Sequence, residues 1–303
     1  MPEAPAHSLP HSRSHARLLL CFWLTAAFMA VEAAAGLWTN SLALLSDSFH
    51  MLSDAVALGL AALAARISLR RPTAEKTFGF KRFEVLAAFA NALVLLVLSL
   101  GLAVKAGFRL WQPQPVLSGP MMAVALGGLL LNLGVLSFLH RAGEDKSLNE
   151  ESALWHVLGD ALGSAAALLA GALMYWRGWI WADPAASLLI AGVIGAGSVR
   201  VLRKSSHILV EGTPEGLEPK AVRAAMLAAP QIREVHDLHL WTLDGRDLFL
   251  SAHVEVAPGA VSEADAVAGL RRDLTERFGV RHITLQSGQC EAGDCGNDCA
   301  DGP

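Results

Sequence analysis

Charge is scarce in this sequence. Asp, Glu, Lys and Arg make up 17% of its 303 residues, against about 25% in an ordinary soluble domain. Hydrophobic residues reach 53% and the mean hydropathy is +0.41, which favours a chain solvated by lipid. The net charge of -4 is small and by itself says nothing about nucleic acid, because the basic residues lie in loops between apolar runs, and no nucleic-acid partner is expected. Cysteine is sparse too. Cys21 sits in an apolar run and Cys290, Cys295 and Cys299 lie near the C-terminal end, which is no disulfide framework. His7, His11, Arg13, His15 and Arg17 precede the first apolar run, but no small-residue cleavage site leads into a soluble chain. That run therefore reads as a first membrane span rather than a signal.

A membrane helix needs about 20 apolar residues. Six runs qualify: Leu18 to Trp38, Leu42 to Ala65, Phe83 to Val104, Met121 to Leu139, Ala153 to Trp176, and Ile180 to Leu202. An Arg177-Gly178 turn separates the last two, and Pro184 fits the first turn of the sixth helix. Trp38, Trp111, Trp176, Trp179 and Trp181 fall at span ends, as an aromatic belt requires. Arg66, Arg70, Arg71, Lys76, Lys81 and Arg82 lie between spans two and three, and Arg200, Arg203 and Lys204 follow span six. The loops at Thr39 to Ser41 and Gln112 to Pro120 hold no basic residue. The positive-inside rule then predicts both termini in the cytoplasm of a multi-pass membrane protein.

From about Glu211 the pattern turns soluble. A helix is expected over Leu217 to Ala229 and a strand over Val235 to Leu243. A turn at Asp244-Gly245-Arg246 leads to a second strand over Leu248 to Val256. Ser262 opens a helix that ends near Gly279, and Val280 to Leu285 is a third strand. The order αββαβ predicts a small ferredoxin-like or metallochaperone-like α+β domain after the all-α membrane part. The expected organisation is a His-containing tail over 1–17, a six-helix membrane domain over 18–209, the α+β domain over 210–288, and a Cys/Asp-rich tail over 289–303.

Two spans contain a His and an Asp four residues apart, His50 with Asp54 and His156 with Asp160. That spacing is about one helical turn, so each pair shares a face. An Asp at a bilayer centre costs roughly 2.5–3.5 kcal/mol. Two such pairs in separate spans point to a shared divalent metal, and two His with two Asp suit tetrahedral Zn²⁺, with Co²⁺ and Cd²⁺ left open. The lack of Cys argues against Cu(I), and the imidazoles argue against Mg²⁺ and Ca²⁺. The plain alternative is a hydrogen bond within each helix. Loading a neutral imidazole displaces protons, which makes metal-for-proton exchange the natural coupling. Asp47, three residues before His50, reads either as a relay or as an interfacial hydrogen bond. Glu32 stays open between pathway and interhelical glue, and Asn91 and Asn132 read as glue.

Ser41 to Asp54 (SLALLSDSFHMLSD), Phe78 to Glu84 (FGFKRFE), His156 to Asp160 (HVLGD) and Val235 to Trp241 (VHDLHLW) together resemble the cation diffusion facilitator family, in its bacterial zinc/cobalt/cadmium efflux branch. The resemblance runs from about Leu18 to Gln286. It implies six membrane helices, a cytoplasmic α+β domain, a homodimer, and metal-for-proton exchange at His50, Asp54, His156 and Asp160. It also implies a cytoplasmic metal site, of which His236 and His253 match. The carboxylate expected two residues after Gln286 is Gly288, so His239 and His282 become substitute candidates. Thr73, Lys76 and Phe80 stand where a weaker loop site has its ligands, and no metal is expected there. Arg82 and Glu211 match a charge interlock between the two halves of relatives.

Cys290, Cys295 and Cys299 form a candidate tail site, with His7, His11 and His15 as further donors, although Pro10 opposes a helix across those histidines. Transport is weighed against two other classes. An intramembrane metalloenzyme would want a general base such as the Glu of H-E-x-x-H, and neither His50 nor His156 is followed by Glu. A membrane metal sensor without flux uses the same ligands and differs only in moving nothing.

Overall fold

A computed structural model describes residues 11–140, 148–258 and 262–288. The side chains of residues 11–22, 54, 58, 61, 62, 65, 138–140 and 148–156 lie outside that description. Six long helices come first: α1 (His11–Thr39), α2 (Leu42–Ser68), α3 (Arg82–Trp111), α4 (Ser118–His140), α5 (Leu148–Arg177) and α6 (Ala182–Leu209). A short α7 (Pro219–Leu227) follows, then β1 (Ile232–Thr242), β2 (Leu248–Val256), α8 (Glu263–Phe278) and β3 (His282–Ser287). Among the described residues, four helices are long and apolar enough to cross a membrane: Arg82–Trp111, Ser118–Ser137, Val157–Arg177 and Ala182–Leu209. α1 and α2 match them in length at 29 and 27 residues.

The chain divides into two compact units. One holds the residues up to Gly59 together with Asn91–Val199, and the other holds Leu60–Ala90 with the residues from Arg200 onward. The sequence pattern places this boundary in one step near residue 209. In the structure residues 60–90, which hold the 69–81 loop and the flanking ends of α2 and α3, group with the α+β elements.

In the first unit the helices meet through small side chains. Ala35, Ala43, Ala125, Ala167, Ala170 and Ala182 form a common cluster with Leu44, Met121 and Met174. Small residues let backbones approach where lipid supplies no hydrophobic driving force. Large apolar side chains point outward instead, including Val94, Val97, Leu100, Val104 and Phe108 of α3. Breaks between helices carry left-handed residues, Asn40 (φ 58°) before α2 and Gly178 (φ 67°) after α5. Asp183, fully buried in the first turn of α6, accepts hydrogen bonds from Leu42 N (2.8 Å) and Ala43 N (3.1 Å). These are orphan amides of the α2 terminus. Ser41 Oγ donates to the same carboxylate and accepts from Leu44 N at 3.2 Å, the geometry of an N-cap. Arg109 of α3 lies 3.8 Å from Asp183 and donates to Asn40, so the buried charge has a partner.

In the second unit, β2 is central, antiparallel to β1 and parallel to β3. Val235, Leu240, Leu250, Ala252 and Val254 pack on Val222 and Met226 of α7 and on Leu270 and Leu274 of α8. Ser262 caps α8 by accepting from Asp265 N, and Gly279 (φ 69°) closes it with a bond to Thr275 O of 3.0 Å. The element order is αββαβ as read from the sequence, with β1 starting at Ile232 and β3 at His282. The expected unbroken alternation of β1 fails at two places, the first between Ile232 and Glu234. A bulge lies between His236 and His239, where Asp237 takes φ 50°. His236 and His239, three apart, therefore stand opposite His253 and Ser251, two apart, and so share one face of the sheet.

Candidate metal centre

Of the four proposed cargo ligands, the described side chains are His50 on α2 and Asp160 on α5. Those of Asp54 and His156 lie outside the described residues. Asp160 is 1% exposed and His50 is half-buried with its Nδ1 out of reach of solvent. Among the described residues, no three His, Cys, Asp or Glu side chains are grouped at metal-ligand spacing.

What the structure does bring together is a polar knot beside these two. Ser164 Oγ donates to Asp47 Oδ2 at 3.3 Å, and Asn132 Nδ2 of α4 donates to Ser164 Oγ at 3.4 Å. Asp47 is one turn from His50 on α2, and Ser164 is one turn from Asp160 on α5. One hydrogen bond thus fixes α2 against α5 a turn away from a candidate ligand on each. Asp47 and Asn132 thus each make an interhelical hydrogen bond with Ser164. Glu32 of α1 is different. Its carboxylate is fully buried and neither oxygen has a hydrogen-bond partner among the described residues. The charges of Asp47 and Asp160 both act on it.

Two glycines make room for these carboxylates. A Cβ on Gly163 would lie 2.2 Å from Asp47 Oδ1, and one on Gly128 would lie 2.7 Å from Glu32 Oε1 and 3.0 Å from Ser164 Oγ. Sequence reasoning missed Ser164, Gly128 and Gly163. The available signal was the spacing of Ser164, four residues after Asp160 on the same helical face.

In the α+β unit, His236, His253 and Gln286 form one row across the three strands. His236 Nε2 is 3.5 Å from Glu234 Oε1, and His239 is 2.7 Å from Asp237. His282 is not brought to that row. It pairs with Phe249, four residues along β2 from His253, and its ring stacks on Phe249 with centroids 4.5 Å apart. Trp241 stacks on Phe249 too, so this end of the sheet is an aromatic ladder, with Phe78 edge-on to Phe249. Arg82 and Glu211 form an ion pair at 2.5 Å. Sequence reasoning missed a neighbouring ion pair between Lys81 and Asp247. The Lys81 ammonium holds the Asp247 carboxyl below its ordinary value, mainly by hydrogen bonding to it, against a smaller opposing effect of burial. Cys290, Cys295, Cys299 and His7 lie outside the described residues, as do the side chains of His11 and His15.

Residues 18–210 match the cation efflux transmembrane domain, and residues 214–289 match the cytoplasmic domain of cation efflux proteins. The chain belongs to the cation efflux family. The family is one of transporters, so the metalloenzyme reading falls away. The zinc transporter ZitB of Escherichia coli is 38% identical over 300 residues, covering 96% of this chain and 95% of its own. A cadmium, cobalt and zinc/H(+)-K(+) antiporter of Bacillus subtilis is 37% identical over 271 residues, covering 89% of this chain and 87% of its own. The metal cation efflux system protein CzcD of Cupriavidus metallidurans is 34% identical over 291 residues, covering 95% and 92%. This cation efflux protein is accordingly a bacterial membrane protein with a helical membrane domain followed by a small three-stranded domain.

Proposed function

We propose that this protein exports divalent metal ions from the bacterial cytoplasm in exchange for protons, with Zn²⁺ as first cargo and Co²⁺ and Cd²⁺ as further ones. The observation that carries the reading is Asp160, an acid 1% exposed within an apolar helix, one turn from the contact that holds α5 to α2 near His50. An acid so placed is costly in a membrane unless it has a partner of opposite charge. His50, Asp54, His156 and Asp160 are the cargo ligands. Two imidazoles and two carboxylates suit a borderline divalent ion, and imidazole must lose its proton to bind. Asp47 and Glu32 flank this set as pathway residues.

The finer architecture follows the same reading. Six helices span the inner membrane, and both termini face the cytoplasm. The 210–288 domain joins two protomers, and Arg82 with Glu211 forms an interlock at its attachment. The His236–His253 row supports a cytoplasmic metal site, with His239 as the nearest added donor. The experiment is metal uptake into inverted vesicles, wild type against Asp160→Ala, with and without a pH gradient. Uptake by the wild type only, and faster with acid inside, is expected. Metal movement without proton movement would sink the exchange, and equal uptake by Asp160→Ala would sink the site.

A further inference from the structure

Residues 66–82 hold six cations, Arg66, Arg70, Arg71, Lys76, Lys81 and Arg82, and a single acid, Glu75. The structure divides the cations into two groups. Lys81 and Arg82 are half-buried and engaged within the α+β unit, on Asp247 and Glu211. Arg66, Arg70, Arg71 and Lys76 are exposed, and none of them has an ion pair among the described residues.

The loop between α2 and α3 is folded tightly enough to keep these charges together. Thr73 N donates to Lys76 O at 3.1 Å, Lys76 N donates back to Thr73 O at 3.2 Å, and Gly79 N donates to Lys76 O at 2.9 Å. Gly79 (φ 75°) returns the chain against its own start, where a Cβ would lie 3.7 Å from Arg70 O. Lys76 Nζ lies 5.5 Å from the centroid of the Phe80 ring, a cation–π contact that orders the side chain and leaves its charge in place. Two large apolar side chains stand exposed beside the cations. They are Leu69, at 85%, and Phe78, at 57% with one edge on Phe249.

Charge alone would suit any anion. Exposed apolar groups rimmed by cations suit an amphiphile instead. The loop leads directly into α3, a helix long and apolar enough to cross a membrane. A basic cluster beside such a helix meets the lipid headgroups, and its long side chains can reach their phosphates.

We propose that the α2–α3 loop binds the headgroup phosphate of an acidic phospholipid, with Arg70, Arg71 and Lys76 as the contacting cations. Leu69 lies against the acyl chains. The same short loop holds Lys81 and Arg82, so one segment grips both a lipid and the α+β elements.

The test uses the full chain in an uncharged detergent. Thermal unfolding is followed at constant ionic strength while a short-chain phosphatidylglycerol is added, with the matching phosphatidylcholine, glycerol 3-phosphate and inorganic phosphate as separate arms. Phosphatidylglycerol alone should raise Tm, by several degrees and saturably, as binding to the native state requires. Arg70→Gln, Arg71→Gln and Lys76→Gln should each weaken the lipid roughly 5-fold, and together about 100-fold. Their lipid-free Tm should match the wild type, because these side chains are exposed and unpaired among the described residues. If the triple variant fails to fold, the three single variants carry the test. Arg271→Gln with Arg272→Gln, which removes two exposed cations of α8, should leave the lipid affinity unchanged. An equal rise with phosphatidylcholine would overturn the proposal, as would a rise that survives the loop substitutions. An equal rise with either soluble phosphate would make this a free-anion site and overturn the lipid. Equal loss in the α8 variant would reduce the effect to net charge and overturn the site. Transport is not read in any arm, so the result is independent of whether the protein exports metal.

Discussion

Ser41 Oγ donates a 2.5 Å hydrogen bond to Asp183 Oδ1 across 142 residues of sequence. That carboxylate also receives Leu42 N and Ala43 N, so α6 caps the helix that carries His50. Asp183→Ala leaves two amides and a hydroxyl without their acceptor, and Arg109 without its buried counter-ion. A loss of about 2–4 kcal/mol is expected, larger than for a solvent-exposed cap. Asp183→Asn, which keeps one oxygen, should lose about half as much. Thermal unfolding of both variants in nanodiscs measures the difference, and equal Tm values for wild type and Asp183→Ala would contradict the cap.

Gly163→Ala is expected to disrupt the protein through a single contact, because the new methyl would fall 2.2 Å from Asp47 Oδ1. The damage should depend on Asp47. In the Asp47→Ala background the same substitution should have little further effect on folded yield, a coupling of at least about 1 kcal/mol by double-mutant cycle. Additive effects would mean that the collision is elsewhere.

The Lys81–Asp247 pair gives a pH signature. Asp247 has a lowered pKa, so its contribution is complete above the ordinary carboxylate range near pH 4. It disappears as pH falls through the lowered value. Both side chains are about one-third exposed, which limits the pair to under about 1 kcal/mol. Asp247→Asn should therefore lower Tm slightly at pH 7 in low salt. The gap from wild type should narrow as pH falls below the ordinary carboxylate range, and should close in 1 M salt, which screens the attraction.

A cytoplasmic metal, if held by the His236–His253 row, separates from the cargo by mutation. Removing His253 should lower bound Zn²⁺ by about one ion per shared site while His282→Ala leaves the count unchanged, because a stacked ring at the far end of β3 is no ligand to that row. Equal losses from both variants would contradict the assignment.

The long helices were legible because their signal is composition over about 20 residues, which no local detail can erase. The caps of α8 were legible for the opposite reason, since Ser262 and Gly279 act only on neighbours. The bulge at Asp237 was not. An extra residue in one strand makes sense only against the partner strand, and its effect is to turn His239 onto the face of His236. The acid-rich knot was half legible. Asp47 and Glu32 stood out as charges in apolar runs, but the glycines that admit them look like any other small residue in a span. Their meaning comes from atoms on a different helix.

The Asp183 cap also determines how α2 can move. Leu42 and Ala43 are held, so the start of the helix is a fulcrum and the rest is a lever. At about 1.5 Å per residue, His50 lies about 12 Å from that fulcrum and Ser68 about 39 Å. A tilt of about 10° would carry the level of His50 by about 2 Å, several times the tolerance of a metal–ligand bond. A small swing about Ser41 would thus be enough to take the proposed ligand set apart.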